Sequence, residues 1–476
     1  MKHINMPVMK NNLQYNIPEL FQPSTLLKVE QHNSIIDKQK AIFENLEKKL
    51  HFQKALHLSD YVHYQLAPKT PIQRWYPYRE GFSVKLVDYF IKELDIKGNV
   101  FDPFSGSGTT LLSARNNNLQ SFGVDINPIS ILISEVENEI YQNVDIEQIN
   151  VELQNIVNSE FNLSHELSTN FELSKKVFNK EILQTLLHLK VKIKQIENSK
   201  IQKLFFVGWL SIIEQVSNVK KEGNGIKYKN RKRTKKGYIS IDKEVWEKNN
   251  FPKDKHKFIL NIFKNKIKLI KTDIEKHYGL IEKKPKIFNG DCTKFNDFFD
   301  ADLELTFFSP PYCNSFDYFE IHKVELWLGD FVKNRKEFRE LKNKGFRSNT
   351  NALNGKLINY SNPHIENLIS LFNYDKLWNK KIPNVVRGYF DDMYQLLTKL
   401  FIQTQRNGYV VIVVGNSAYS GVIIPTDAII SEFAQEIGFS LENILITRHL
   451  TTSSQQKIVL ADLKQYLRES IIILKK

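Results

Sequence analysis

Between residues 305 and 320 the chain reads LTFFSPPYCNSFDYFE: an apolar run ends at Ser309, and Pro310, Pro311 and Tyr312 follow. Two consecutive prolines donate no backbone hydrogen bond and have a fixed φ, so this stretch is a rigid, non-strand segment directly after a strand. In open α/β sheets ligands bind at the carboxyl ends of the strands. A stiff loop carrying a hydroxyl, an unpaired carbonyl and a flat ring is suited there to holding something planar. Taken alone, the same residues also read as a proline-terminated turn.

A second stretch, FDPFSGSGTTLLSA (101–114), runs from a strand through a glycine-rich turn into a helix. Gly106 and Gly108 are expected to let the backbone approach a ligand closely, and a helix starting near Thr109 would aim its amides at that ligand. The pattern is neither GxGxxG nor a phosphate loop with GK[ST]. It disfavours a dinucleotide or nucleoside triphosphate and leaves a smaller nucleoside-containing ligand. About 20 residues on, GVDINP places Asp125 where an acid bonds ribose hydroxyls in nucleoside-binding α/β folds. GDCT places Asp291 beside the same crevice. Any one of these acids could equally be a helix cap or turn carboxylate. Three acid-tipped strands (Asp102, Asp125, Asp291) converging with the glycine loop and Ser-Pro-Pro-Tyr indicate a binding site.

The elements that must position these residues alternate short β-rich runs with helical patterns, the signature of a doubly wound α/β sheet. Seven strands are expected: near 99–103, 121–125, 286–291, 303–310, 408–415, 442–450 and 469–476. Residues 24–56 have helical spacing, within an N-terminal helical segment assigned to 1–75, and SVKLVDYFIKEL (83–94) is an amphipathic helix. The core is read as 76–140, 286–330 and 385–476, with insertions at 141–285 and 331–384. Long inserted loops in such folds usually carry function.

Charge separates the first insertion from the rest. The 476-residue chain carries a net +14, and residues 201–286 alone hold 23 Lys and Arg against 9 Asp and Glu, so the remainder is neutral. A localised excess of this kind is an electrostatic footprint for a polyanion. Its centre, KEGNGIKYKNRKRTKKGYISI (221–241), interleaves Gly, Tyr and basic residues as phosphate-tracking loops do, although a solvated lysine-rich insertion reads the same way. Only Cys292 and Cys313 occur, and no HExxH or His/carboxylate cluster appears, so no metal site is expected. No apolar run reaches the roughly 18 residues of a membrane span, and the first residues lack a signal peptide's apolar core, so a cytoplasmic location is expected.

DPFSGSGTT followed by SPPY, with GVDINP and GDCT between them, closely resembles the S-adenosylmethionine-dependent DNA amino-methyltransferases, which methylate exocyclic amines of cytosine or adenine. GYVVIVVGNSAYSGVIIPTDAI (408–429) is similar to that family's late core, SIIILKK to its reversed seventh strand, and RWYPYREGFSVKLV (74–87) to the segment preceding the cofactor loop. The resemblance implies a seven-stranded, Rossmann-like methyltransferase sheet with a large helical, basic insertion. It implies S-adenosylmethionine as cofactor. Asp102, Pro103, Phe104, Gly106, Gly108 and Thr109 would lie around its methionine part, Asp125 at the ribose, and Asp291 with Cys292 at the adenine. Ser309, Pro310, Pro311 and Tyr312 would hold the target base. Lys229, Arg231, Lys232, Arg233, Lys235 and Lys236 would meet DNA, and 331–384 is a second candidate DNA contact.

An exocyclic amine is a poor nucleophile because its lone pair is delocalised into the ring. Ser309 Oγ and the Pro310 carbonyl can each accept one N–H and turn that lone pair toward a methyl donor, while Tyr312 stacks on the base. The base must first leave the duplex stack. Carbon-5 cytosine chemistry would need a cysteine nucleophile, but Tyr312 follows Pro311, and Cys313 reads as a packing residue. Ser at the first motif position leans, within the family, toward cytosine N4. Adenine N6, an RNA amine, a nucleotide-dependent dehydrogenase and a DNA-binding subunit with an inactive core are the competing readings. With no nuclease motif, any restriction endonuclease would be a separate chain.

Overall fold

The computed structural model describes residues 23–161, 165, 167, 173–223, 225–234, 237–277, 283–353, 355–451 and 459–476. The chain begins with α1 (Pro23–Glu47), β1 (Phe52–Lys54), α2 (Val84–Glu93), β2 (Val100–Asp102), α3 (Thr109–Asn116), β3 (Ser121–Asp125) and α4 (Pro128–Glu137). The long insertion follows as α5 (Asn143–Val157), α6 (Ser174–Val177), α7 (Lys180–Lys194) and α8 (Ser199–Val216). It continues through β4 (Val219–Lys221), β5 (Ile226–Tyr228), β6 (Arg231–Thr234) and β7 (Gly237–Ser240) to α9 (Lys243–Asn250) and α10 (Lys255–His277). The core resumes with β8 (Lys286–Asn289), β9 (Leu303–Phe308), α11 (Tyr318–Ile321) and α12 (Lys323–Leu328), and α13 (Arg335–Asn343) and α14 (Pro363–Ser370) belong to the second insertion. Helix α15 (Ile382–Gln403), β10 (Thr404–Gly415), β11 (Ser417–Tyr419), β12 (Val422–Ile424), α16 (Thr426–Ile437), β13 (Ser440–His449) and β14 (Arg468–Lys475) complete it.

One eight-stranded sheet organises the molecule, in the order β1-β13-β14-β10-β9-β2-β3-β8. Strand β14 runs antiparallel to β10 and β13, and the other neighbouring pairs are parallel. Parallel strands covered on both faces are apolar almost throughout, which is why β9 and β10 stood out in the sequence. Side chains alternate across the sheet. Val411 and Val413 join Leu86, Val87 and Phe90 of α2 on one face. Val410, Ile412 and Val414 join α15 and α16 on the other.

All seven expected strands are present, and β1 is an eighth, pairing Phe52, Gln53 and Lys54 with Ile444, Leu445 and Ile446. Three residues, Phe52–Lys54, carry no readable alternation, so the sequence could not announce it. The helix expected over 24–56 therefore ends at Glu47. The N-terminal segment is woven into the core. Ile36, Phe43 and Leu46 of α1 are buried with α16, and Gln39 bonds the Gly421 carbonyl and the Ile423 amide at 3.0 and 2.8 Å.

The first insertion folds around its own apolar core, built from α5, α7, α8 and α10 and continuous with α4 and α12. Helices α8 and α10 approach closely at Gly208, where a Cβ would lie 2.6 Å from Ile267 Cδ1. The second insertion is tied down by Arg347, a buried cation whose Nε meets Asp392 Oδ1 at 2.9 Å and which also pairs with Asp391 on α15.

Candidate active site

The chain runs outward from β2 to β3 and β8, then returns to the other side of β2 as β9 and β10. The order thus reverses between β2 and β9, and in such sheets a crevice opens at the carboxyl ends there. A cavity of about 430 Å³ occupies that position. Its size is within the range of small-ligand sites. Asp102 ends β2 and the 103–107 turn follows it, Asp125 ends β3, Asp291 and Cys292 follow β8, and Ser309 to Tyr312 follow β9. All of these line the cavity.

The acids differ in how they are held. Asp102 accepts the Phe104 amide at 2.9 Å. Burial, the largest influence, pushes its carboxyl up to about 7. Asp125 accepts the Gly106 amide at 2.9 Å and the Asn127 amide at 2.8 Å. Burial pushes it up to about 6 against those two bonds. A carboxylate offers about four lone-pair sites, so Asp125 keeps capacity for hydroxyl donors. Asp291 caps the 3₁₀ turn Cys292–Asp297 through Oδ1, which accepts the Thr293 amide and hydroxyl at 2.9 and 2.8 Å. Its Oδ2 faces Lys356 Nζ of the second insertion at 3.8 Å.

The two glycines of the turn serve different ends. Gly106, at φ +51°, lines the cavity, and a Cβ there would sit 3.0 Å from the Tyr78 ring. Gly108 does not line it. At φ +84° its bare Cα makes room for Ser134 Oγ and Asn138 Nδ2, 2.3 and 2.5 Å from where a Cβ would stand. Gly108 therefore serves the seating of α3 on α4 rather than close approach of a ligand. Thr109, which does face the cavity, accepts Gln73 Nε2 at 3.1 Å.

The Ser-Pro-Pro-Tyr loop is braced from three sides. Tyr312 donates its hydroxyl to Glu469 Oε1 of β14 at 2.5 Å. The Cys313 carbonyl accepts Ser417 Oγ of β11. Ser315, a non-glycine residue at φ +60°, donates its amide to the Ser348 carbonyl at 3.1 Å. A left-handed residue of this kind persists only where its surroundings over-determine it. Cys313 is fully buried, and burial drives its thiol far from ionisation.

Several lining residues were not marked by the sequence reading. Phe346, from the second insertion, stands edge-on to Phe104 at 5.3 Å, so part of 331–384 is a wall of the cavity. Tyr78 and Glu80 lie in the aromatic segment RWYPYREGF, which matched by resemblance alone. Glu469, a lone acid in an apolar final strand, was the available signal for a buried polar role. Lys221, read as the start of a phosphate-tracking loop, is buried at the cavity edge. Its Nζ meets Glu325 Oε1 at 2.7 Å, and Tyr76 Oη and His322 Nδ1 at 3.1 Å each.

The proposed DNA-facing residues also divide. Lys229 is not available to phosphate: its Nζ caps α8 by bonding the carbonyls of Glu214 and Ser217 at 2.6 and 2.8 Å. Arg231 and Lys232 are exposed on β6, and Arg233 is the third residue of that strand. Lys235 and Lys236 lie outside the described residues. Among the described residues no group of His, Cys, Asp and Glu is placed to hold a metal ion, and no helix is long and apolar enough to cross a membrane.

The donor set fits S-adenosylmethionine. Buried Asp102 is an acid that an α-ammonium would suit, Asp125 retains acceptor sites that ribose hydroxyls would fill, and Phe104 and Phe346 supply an apolar wall. Residues 23–136 match the N6/N4 methyltransferase family described as DNA methylase. That stretch includes α1 and β1. The chain is 26% identical over 402 residues to the type II methyltransferase M.AvaI of Nostoc sp., covering 81% of this chain and 82% of that protein. It is 28% identical over 460 residues to the type II methyltransferase M.BsoBI of Geobacillus stearothermophilus, covering 83% and 84%. A shorter stretch of 150 residues is 29% identical to M.MjaII of Methanocaldococcus jannaschii, covering 29% and 28%. The fold, the donor set and these matches agree, and the resemblance to the S-adenosylmethionine-dependent DNA amino-methyltransferases holds.

Proposed function

We propose that the protein transfers a methyl group from S-adenosylmethionine to the exocyclic N4 amine of cytosine in duplex DNA, as the modification enzyme of a restriction-modification system whose endonuclease is a separate chain. The observation that carries the reading is the braced Ser309-Pro310-Pro311-Tyr312 loop at the mouth of the acid-lined cavity.

Bound in that cavity, the cofactor supplies an electrophilic sulfonium methyl. Asp102 would hold its ammonium, Asp125 its ribose, and the turn at Asp291 and Cys292 its adenine. Tyr312 stacks on the flipped base. Ser309 Oγ and the Pro310 carbonyl accept the two N–H bonds of the amine, pulling the nitrogen lone pair out of conjugation and toward the methyl group. The prolines fix both acceptors before the base arrives, so little ordering remains for the moment of reaction. Methyl transfer would leave S-adenosylhomocysteine and a cationic nitrogen, which would release one of its two protons to solvent while Ser309 Oγ or the Pro310 carbonyl accepts the other. No cysteine nucleophile takes part, consistent with the burial of Cys313. Arg231, Lys232, Arg233, Lys235 and Lys236 would contribute phosphate contacts that offset the few kcal/mol typically needed to unstack a base.

The acceptor pair serves adenine N6 equally well, and Ser309 at the first motif position favours cytosine. Expression in a methylation-free bacterium, followed by genomic sequencing that separates N4-methylcytosine from N6-methyladenine, tests the reading. One motif carrying N4-methylcytosine is expected. N6-methyladenine would overturn the choice of base, and unmodified DNA would overturn the reaction.

A further inference from the structure

Strands β6 and β7 form a two-stranded ribbon outside the main sheet, in the register Arg231↔Ser240, Lys232↔Ile239, Arg233↔Tyr238 and Thr234↔Gly237. Cross-strand partners share a face and neighbours alternate, so Ile239 and Tyr238 belong to opposite faces. Both are open to solvent: Tyr238 is 69% exposed and Ile239 58%, and Ile241 just beyond is 49% exposed. A folded protein seldom leaves both faces of a ribbon uncovered with its large apolar side chains outward.

The ribbon is nevertheless firmly rooted. Asn218 and Asn230 bond one another reciprocally, Nδ2 to Oδ1 at 3.0 Å and backbone amide to Oδ1 at 3.1 Å. Asn230 closes the ribbon base through the Ile241 carbonyl and amide, at 2.8 and 2.9 Å. Lys229 clamps the same point to the end of α8. Asn218 is also the residue before β4, whose last residue, Lys221, lies at the cavity edge. Three residues of strand span about 10 Å, so the root of the ribbon lies within about that distance of the cavity edge, and its four-residue strands are about 13 Å long.

We propose that β6–β7 is the element that reads the target sequence, inserted in the DNA major groove, with Tyr238 and Ile239 touching base edges and Arg231 and Lys232 the flanking phosphates. This rests on the methyl-transfer reading above. The charge of the insertion selects a polyanion as occupant. A groove about 12 Å wide admits a two-stranded ribbon in undeformed DNA, whereas the minor groove, at about 6 Å, would first have to be widened. Apolar side chains at the ribbon surface match the methyl and ring edges that bases present there. The ribbon thus unites, on one rigid support, the contacts that position and the contacts that specify.

The test compares full-length wild type with the double variant Tyr238→Ser/Ile239→Ser and with Arg231→Gln/Lys232→Gln. All four positions are exposed, and unchanged melting temperatures check that the fold is kept. The apolar pair should raise KM for DNA bearing the modified motif by about 10- to 100-fold, or relax the motif, with the salt dependence of binding unchanged. The basic pair should lower the slope of log affinity against log salt by about one per charge. S-adenosylmethionine affinity should not change in either. If wild type marks a motif and the apolar variant marks the same motif at the same KM, the ribbon assignment is overturned while methyl transfer stands. If wild type marks no DNA, the underlying reading falls.

Discussion

Tyr312 Oη donates to Glu469 Oε1 at 2.5 Å, and Glu469 Oε2 is held in turn by Arg448 Nε at 2.5 Å. The loop after β9 is thus locked to the reversed strand β14 by a buried carboxylate. The lock has a seat as well, because a Cβ on Gly415 would stand 2.6 Å from the Tyr312 ring. Tyr312→Phe keeps the stacking surface but frees its angle, and it should lower kcat/KM for DNA by about 3- to 30-fold. Gly415→Ala should do more by displacing the ring. Calorimetry should find S-adenosylmethionine affinity unchanged in both. Equal losses in cofactor binding would show that the ring does not face the base.

Ser309→Ala removes one of the two acceptors proposed for the amine. Methyl transfer should slow by roughly 10- to 1,000-fold in single-turnover measurements, with cofactor affinity nearly intact. A parallel loss of cofactor affinity would place Ser309 on the wrong ligand.

Asp102 and Asp125 link the site to pH. Burial raises them from 3.8 to about 7 and about 6. Folded values above the unfolded ones mean that their contribution to stability is full below about pH 4 and is lost as pH rises through 6 and 7. Relative to Asp102→Asn, the ligand-free wild type should therefore lose melting temperature between about pH 4 and 7. A cofactor ammonium favours the ionised Asp102, so affinity should rise over the same interval. Titrations at pH 6.5 in buffers of different ionisation heat should show proton release, absent in Asp102→Asn. Proton uptake would contradict the assigned contact.

Lys221 and Glu325 join the basic insertion to the segment that follows the catalytic loop, with side chains 5% and 3% exposed. Removing one partner strands the other charge in the interior, at a cost of about 3–5 kcal/mol. Lys221→Met should thus destabilise strongly in urea titrations, and Lys221→Met/Glu325→Leu should recover much of the loss. A mild effect of the single variant would mean that water solvates the remaining carboxylate.

What the sequence disclosed follows from the reach of each signal. Strands buried on both faces, such as β10 with VVIVVG, appear as apolar runs. Prolines and glycines mark forced backbone, so the loops at 103–108 and 309–312 were readable. Lys229 and Lys221 were misplaced because a lysine that caps a helix or pairs in the interior looks, in a basic stretch, like one that waits for phosphate. Gly108 was given to a ligand because its true neighbours, Ser134 and Asn138, lie beyond the next strand in the chain. Phe346 and Glu469 reach the cavity from segments far along the sequence, where no local pattern points back to it.

The pairing of β1 with β13 has a consequence in time. A ribosome delivers β1 long before its neighbour β13, and β14, which separates β13 from β10, comes later still. Throughout that interval the nascent chain carries Phe43 and Leu46 without the helix that will cover them. Distant pairings of this kind form slowly and leave apolar surface open to aggregation, so the nascent chain should depend on chaperones until α16, β13 and β14 have emerged.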